Sequence, residues 1–226
     1  MCNLYSSTKP VEAMRQLFDV PVKNVHLGNA EPLAAIWPKY PGYVMRHTKD
    51  GERELVTLSW GFRTTKVSKK TGKTLQPAAW NNARDNKVAT SGLWRGSFQQ
   101  RRCLVPATSF CEAKGRNPAT YYWFGLDGGE ERPLFAFAGL WTVSQFEGPD
   151  GPDRCEVYTI ITTSANDLVK PVHPDRMPVI VPPEKYETWM AGSADDALEV
   201  LEPYPADQMK VFKSGENEKD DALPPT

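Results

Sequence analysis

"TYYWFGL" (120–126), "PLFAFAGLW" (133–141) and "CEVYTIITT" (155–163) decide the fold. All three are dense in aromatic and β-branched residues, the side chains that fit a pleated, half-buried surface. Between them lie Asp127-Gly128-Gly129 and the stretch 148–153, both built from turn residues. They therefore read as successive strands of a β core. Working outward, "GYVMRHT" (42–48) and "ELVTLSW" (54–60) predict two more strands about a turn at Lys49-Asp50-Gly51, and "RRCLVPA", "MPVIV" and "QMKVF" one each. Short helices are expected in four places. One is 6–19, capped by Ser7 or Thr8 with Pro10 in its first turn and Val11, Met14, Leu17 and Phe18 on one face. The others are 85–95, 164–170 and two between 182 and 201, the second capped by Ser193. Residues 20–41 read as loop, and "RTTKVSKKTGKT" (63–74) as a basic, exposed loop. No repeat and no linker divides the chain. The order of elements predicts one α+β domain over 1–212, with a largely antiparallel core flanked by short helices. A polar, acidic tail over 213–226 is expected to be disordered.

Composition narrows the functional classes. The 226 residues are 40% hydrophobic and 24% charged, ordinary for a soluble globular domain. There is no apolar run of membrane-spanning length and no basic-plus-apolar leader, so a cytoplasmic, nucleoid-associated protein is expected. Cys2, Cys103, Cys111 and Cys155 have neither CxxC pairing nor short Cys/His spacing, which predicts free thiols and no metal; no cofactor is expected. The net charge of −1 hides an asymmetry. Residues 61–116 hold twelve Lys and Arg against two acids, a net +10 that leaves −11 elsewhere. Trp60, Phe62, Trp80, Trp94 and Phe98 are interleaved with the basic residues. Basic side chains for phosphates and aromatic faces for bases suit single-stranded nucleic acid; a solvated basic loop over core tryptophans is the plainer alternative.

Four places can carry chemistry. Cys2 becomes the N-terminus if Met1 is removed. Its α-amine (ordinarily about 7.7–8.0) and thiol (about 8.5) would then be adjacent nucleophiles, both partly active near neutral pH. "NNARDN" (81–86) places two amides and an arginine after Trp80. "SFCEAKG" (109–115) places Glu112 just past an apolar strand, with Arg101, Arg102, Lys114 and Arg116 near in sequence; if they are also near in space, its ionised form is favoured. "KPVHPDRMPVIV" (170–181) places His173 and Arg176 in a proline-bracketed turn. Taken singly, each also has a structural reading: a helix cap, a surface carboxylate, a turn histidine.

Taken in order, the four resemble the signature of the SRAP family, the SOS-response-associated peptidases understood as abasic-site sensors. "WGF", "RRCLVPA" and "FAFAGLW" are similar to family stretches as well, and the resemblance spans roughly 1–212. It implies a barrel-like SRAP fold and a monomer that binds single-stranded DNA containing abasic sites. It further implies a thiazolidine crosslink between Cys2 and the ring-opened sugar, with lyase and autoproteolytic activity also possible for such a site. By resemblance, Glu112 shuttles protons, His173 acts at the sugar oxygen, Asn82 hydrogen-bonds the crosslink, and Arg84 and Arg176 hold phosphates. Trp80, Arg63 and Lys66 of the basic middle complete the expected DNA-binding set. The chain departs from the family pattern in three places. Asn3-Leu4 stands where Gly-Arg is common, Ala113 where an aromatic usually follows the glutamate, and Pro174 lengthens the histidine motif. Two rivals remain at this stage: an N-terminal-nucleophile cysteine hydrolase, and a non-catalytic single-stranded DNA module indifferent to Cys2.

Overall fold

In a computed structural model, which describes residues 2–129 and 132–221, the aromatic and β-branched runs pair into two large sheets and a separate hairpin. The chain begins with β1 (Tyr5–Ser7), α1 (Val11–Leu17) and β2 (Leu33–Ile36). An antiparallel pair follows, β3 (Pro41–His47) and β4 (Arg53–Trp60), turning where Gly51 takes φ +80. The hairpin is β5 (Phe62–Val67) with β6 (Thr74–Trp80). Next come β7 (Asn82–Arg84), α2 (Asp85–Val88), α3 (Arg95–Gln100), β8 (Arg102–Ala107), β9 (Ser109–Gly115) and β10 (Ala119–Leu126). The long strands β11 (Phe135–Gly148) and β12 (Gly151–Ser164) lead to β13 (Arg176–Pro178), β14 (Ile180–Val181), α4 (Tyr186–Ala191), α5 (Ala194–Glu199) and β15 (Met209–Gly215).

One sheet runs β15-β10-β9-β1-β2; the other runs β13-β12-β4-β3-β8-β11-β14, with β7 added on β12. β12 is parallel to β4 and β7, while the other strand pairings are antiparallel. The expected single α+β domain with a largely antiparallel, barrel-like core and few short helices is what forms. β8 shows why "RRCLVPA" carries so little polarity: all six of its residues are buried, between β3 and β11. Its one charge, Arg102, donates to carbonyls at the ends of two helices, Phe98 of α3 and Gly192 after α4, and to Trp189. These are the acceptors that a helix C-terminus leaves unsatisfied. Gly42 on β3 is obligatory for packing, since a Cβ there would lie 2.1 Å from the Tyr158 hydroxyl.

Local expectations fail where tertiary pairing competes. Ser7 and Thr8 do not cap α1. Ser7 lies in β1, Thr8 bonds Thr108 at 3.0 Å, and the helix starts after Pro10 without a side-chain cap. The loop expected over 20–41 contains β2, which is held on the edge of β1. The basic loop of 63–74 is instead most of the β5–β6 hairpin. Of the helix expected over 85–95, only α2 and the first residue of α3 are helical. "SANDLVK" stays a turn: Asn166 Oδ1 accepts from the N–H groups of Leu168 (3.1 Å) and Val169 (3.0 Å), and Pro171 prevents continuation. "MPVIV" breaks at Val179, whose N–H bonds Ile161 of β12 while its carbonyl accepts from Ala138 of β11. The Ser193 cap forms as expected, as a reciprocal capping box with Asp196. The expected tail begins inside β15, which continues to Gly215, and Asp221 is fully buried; residues 222–226 lie outside the described residues. Among the described residues, no helix is long and apolar enough to cross a membrane.

Candidate functional site

Cys2 is fully buried just ahead of β1, within a cluster that includes Tyr5, Trp60, Phe137 and Tyr158. The Tyr5 and Trp60 rings meet edge to face at 5.1 Å, a geometry worth about 0.5–1.5 kcal/mol beyond area burial. The two amides of "NNARDN" grip the backbone of Cys2. Asn82 Nδ2 donates to its carbonyl at 2.7 Å and Asn81 Nδ2 at 3.1 Å; Asn81 also reaches Asn3 Oδ1 at 2.9 Å. These amides are placed by β7, which adds Asn82 opposite Ile160 of β12, and by the Trp60 indole, which donates to the Asn81 carbonyl at 2.8 Å. Asn82 Oδ1 is buried with no hydrogen-bond partner among the described residues. Such an atom costs about 1–3 kcal/mol, a penalty tolerated where a ligand completes the bond.

Glu112 arrives from the other side of the same ladder. β1 and β9 pair Tyr5 with Phe110 and Ser6 with Ser109, and the Cys111 N–H donates to the Leu4 carbonyl at 2.9 Å. That register sets Asn3 opposite Glu112. Glu112 is buried, yet it lines a cleft of about 340 Å³ together with Asn3, Leu4, Trp37, Tyr121 and His173. His173 closes the turn after Asn166: its N–H bonds the Val169 carbonyl at 2.9 Å, and its Nδ1 accepts the Arg176 N–H at 3.2 Å. A neutral ring so held carries its proton on Nε2. Larger concavities exist along the end of the β11–β12 hairpin and around Arg46 and Trp141. Neither is lined by a cysteine.

The structure thus brings Cys2, Asn82, Glu112 and His173 into one neighbourhood, with Cys2 beneath the surface and the cleft beside it. The expected DNA-binding residues lie apart from the cleft wall. Arg84 and Lys66 are exposed, and Trp80 is 49% exposed with its indole bonded to Thr64. Arg63 is turned inward, Nη2 donating to Ser59 at 2.8 Å. Arg176 is engaged internally, bonded to Asp85 at 2.8 Å and to Thr162. Trp37, Tyr121 and Asn81 were not singled out as site residues. Trp37 stands before Pro38 in a stretch read as loop, where an exposed tryptophan is the only signal. Tyr121 reaches the cleft through its pairing with Ala113, which no local pattern reveals.

The profile of the family described as SOS response associated peptidase (SRAP) matches residues 1–216. The chain belongs to the SRAP family. Two relatives from Bacillus subtilis are named abasic site processing proteins. YoqW is 35% identical over 135 residues and YobE 34% over 136. The match to YoqW covers 58% of each chain; that to YobE covers 58% of this chain and 59% of the relative. The aligned part therefore spans less than two thirds of either relative. A solved protein structure from Bordetella bronchiseptica superposes with a TM-score of 0.69 at 27% identity, over 94% of this chain and all of that one.

Within this SRAP site, burial is the strongest electrostatic influence. It pushes the Glu112 carboxyl from an ordinary 4.5 up to about 7, with the positive charge of the chain's terminal amine pulling the other way. The expectation that basic neighbours favour its ionised form required them to be near in space, and that condition is not met. Arg102 is spent on helix carbonyls, and Lys114 and Arg116 are exposed beyond it. Burial likewise raises the Cys2 thiol well above its usual range, reinforced by Glu112, and lowers His173, so the imidazole is neutral at pH 7. Glu112 also carries a stability consequence. The folded state holds its proton more tightly than the unfolded chain. Below about pH 4.5 both states are protonated and nothing is lost, whereas between about 4.5 and 7 stability falls as pH rises. Glu112→Gln is therefore expected to stabilise the protein at pH 8 by on the order of 2 kcal/mol, and not at pH 4. Urea unfolding of both proteins at the two pH values checks this; an equal difference at both would detach the effect from ionisation.

Proposed function

We propose that this protein acts on abasic sites in single-stranded DNA and shields them by a thiazolidine crosslink through Cys2, after removal of Met1. The observation that carries the proposal is the hold of Asn81 and Asn82 on the Cys2 carbonyl, beside a cleft lined by Glu112 and His173. The names of the relatives support the substrate class. In the proposed sequence, ionised Glu112 takes a proton from the Cys2 ammonium, and the freed amine attacks C1′ of the ring-opened deoxyribose. Loss of water leaves an iminium, with the proton that Glu112 took from the ammonium returned to the departing hydroxyl. The thiol then adds to the same carbon, and its proton goes to nitrogen. A thiol whose ionisation is disfavoured by burial is a poor first nucleophile, so the amine acts first; the iminium cation then favours sulfur attack. Asn82 Oδ1 is positioned by its own amide group to accept from the new ring nitrogen. Ring closure is intramolecular, where effective molarities reach about 10⁵ M or more.

Intact mass of the purified protein gives the direct test. Active protein should lack Met1. After incubation with an abasic oligonucleotide, a species should appear at the sum of the two masses less one water. Retention of Met1 in protein that still crosslinks overturns the mechanism. Amide hydrolysis without any DNA adduct would favour the cysteine hydrolase instead.

A further inference from the structure

We propose that Asp221, far from the site in sequence, is a positioning residue that locks the register of the two strands presenting Cys2 and Glu112. Asp221 is fully buried. Its Oδ2 accepts from Ser6 Oγ at 2.9 Å and from Ser109 Oγ, its Oδ1 is paired with Arg132, and its N–H donates to the Ala34 carbonyl at 2.8 Å. Ser6 and Ser109 are not arbitrary partners: they face each other across the β1–β9 ladder. One carboxylate oxygen therefore grips both members of a register pair, while the backbone of the same residue grips β2. The two hydroxyl oxygens lie 2.7 Å apart, so both are within reach of the one carboxylate oxygen. A buried carboxylate is tolerated only when fully paired, and here two hydroxyls and a guanidinium complete it.

The arrangement matters because of where the strands lead. Cys2 lies four residues before Ser6, and Glu112 three after Ser109. β9 is held by β10 over six register pairs, Glu112 among them, so a slip of one residue would turn the β1 side chains to the other face and displace Cys2 and Asn3 relative to Glu112. β1 is only three residues long and shares two register pairs with β9, so few ladder bonds hold that register. The segment leading to Asp221 is fastened as well, by the Trp123 indole donating to the Glu218 carbonyl at 2.8 Å. Lys219 sits over Tyr121, on the cleft wall, at 5.6 Å from the ring centroid.

The inference rests on the proposed crosslinking only for its catalytic consequence; the clamp itself is testable without DNA. In Asp221→Asn, amide hydrogen exchange should accelerate at 4–6 and 108–112 and stay unchanged in β12. With an abasic single strand, the crosslinking rate at saturating DNA should fall at least tenfold, while the half-saturating DNA concentration changes less than twofold. The pH midpoint of the rate should move down toward an ordinary carboxyl value as Glu112 gains solvent. Ser109→Ala, which removes one donor and keeps the charge pair, should give the same pattern at smaller amplitude. Unchanged local exchange in both variants overturns the clamp, and so does faster exchange spread evenly through the core. If wild type forms no adduct, the reading of function fails while the exchange data still decide the clamp. If exchange loosens locally but rate and pH midpoint hold, Asp221 is structural only and the positioning role is lost.

Discussion

Cys2→Ala is expected to abolish denaturation-resistant adducts with abasic single-stranded DNA, a loss of at least about 10³-fold in rate. Alanine keeps the α-amine but removes the sulfur that closes the ring. What remains is a Schiff base, which hydrolyses on denaturation. Non-covalent affinity should survive, because its source lies elsewhere. The exposed lysines of the β5–β6 hairpin and its turn, Lys66, Lys69, Lys70 and Lys73, together with Arg84, face solvent outside the cleft. If they contact phosphates, the logarithm of affinity falls with that of salt at a slope of about −0.7 per phosphate for a single strand. Gel electrophoresis under denaturing conditions reads the adduct, and a salt titration reads the affinity. A wild-type yield of adduct from Cys2→Ala would assign the chemistry to another nucleophile, such as a hairpin lysine. Affinity indifferent to salt would remove the basic face from binding.

Glu112→Gln is expected to slow crosslinking by about 10²-fold at pH 7.5, in the range for loss of a general base. The pH dependence is the sharper readout. Because burial raises the Glu112 carboxyl to about 7, the wild-type rate should climb between pH 6 and 8 as the carboxylate forms. Glutamine has no such limb; its rate should follow only the amine and recover partly near pH 9, where the amine is already free. His173→Ala, acting at the sugar oxygen with an imidazole already neutral at pH 7, should be slow across the whole range. Equal rates for wild type and Glu112→Gln at pH 7.5 would remove Glu112 from the chemistry. Together with the stability gain expected at pH 8, the same substitution should make the protein sturdier and less active. That is the signature of a carboxyl kept buried at a cost for the sake of function.

The strands from 119 to 164 were legible because their side-chain chemistry is local: aromatic and β-branched runs between Gly and Asp turns admit little else. Cys2, Asn82, Glu112 and His173 were legible as residue types in order, and the family match covers all four. Their mutual placement was not. Asn82 reaches Cys2 only because β7 joins β12 in parallel, a contact between residues eighty positions apart that leaves no periodic trace. The ionisation of Glu112 rests on a condition the sequence cannot test, since neighbours in sequence say nothing of which charges point inward. Burial, not the surrounding lysines and arginines, sets it. Ser7 and Thr8 have the chemistry of helix caps but pair across the sheet, because a ladder in the core outweighs a single cap. Local pattern thus determined the strands from 119 to 164, the basic middle and the reactive residue types. Tertiary structure alone decided the register of β1 against β9, the burial that tunes Cys2 and Glu112, and the return of Asp221 to the strands of the site. Each of these depends on contacts between distant residues, and such contacts have no period.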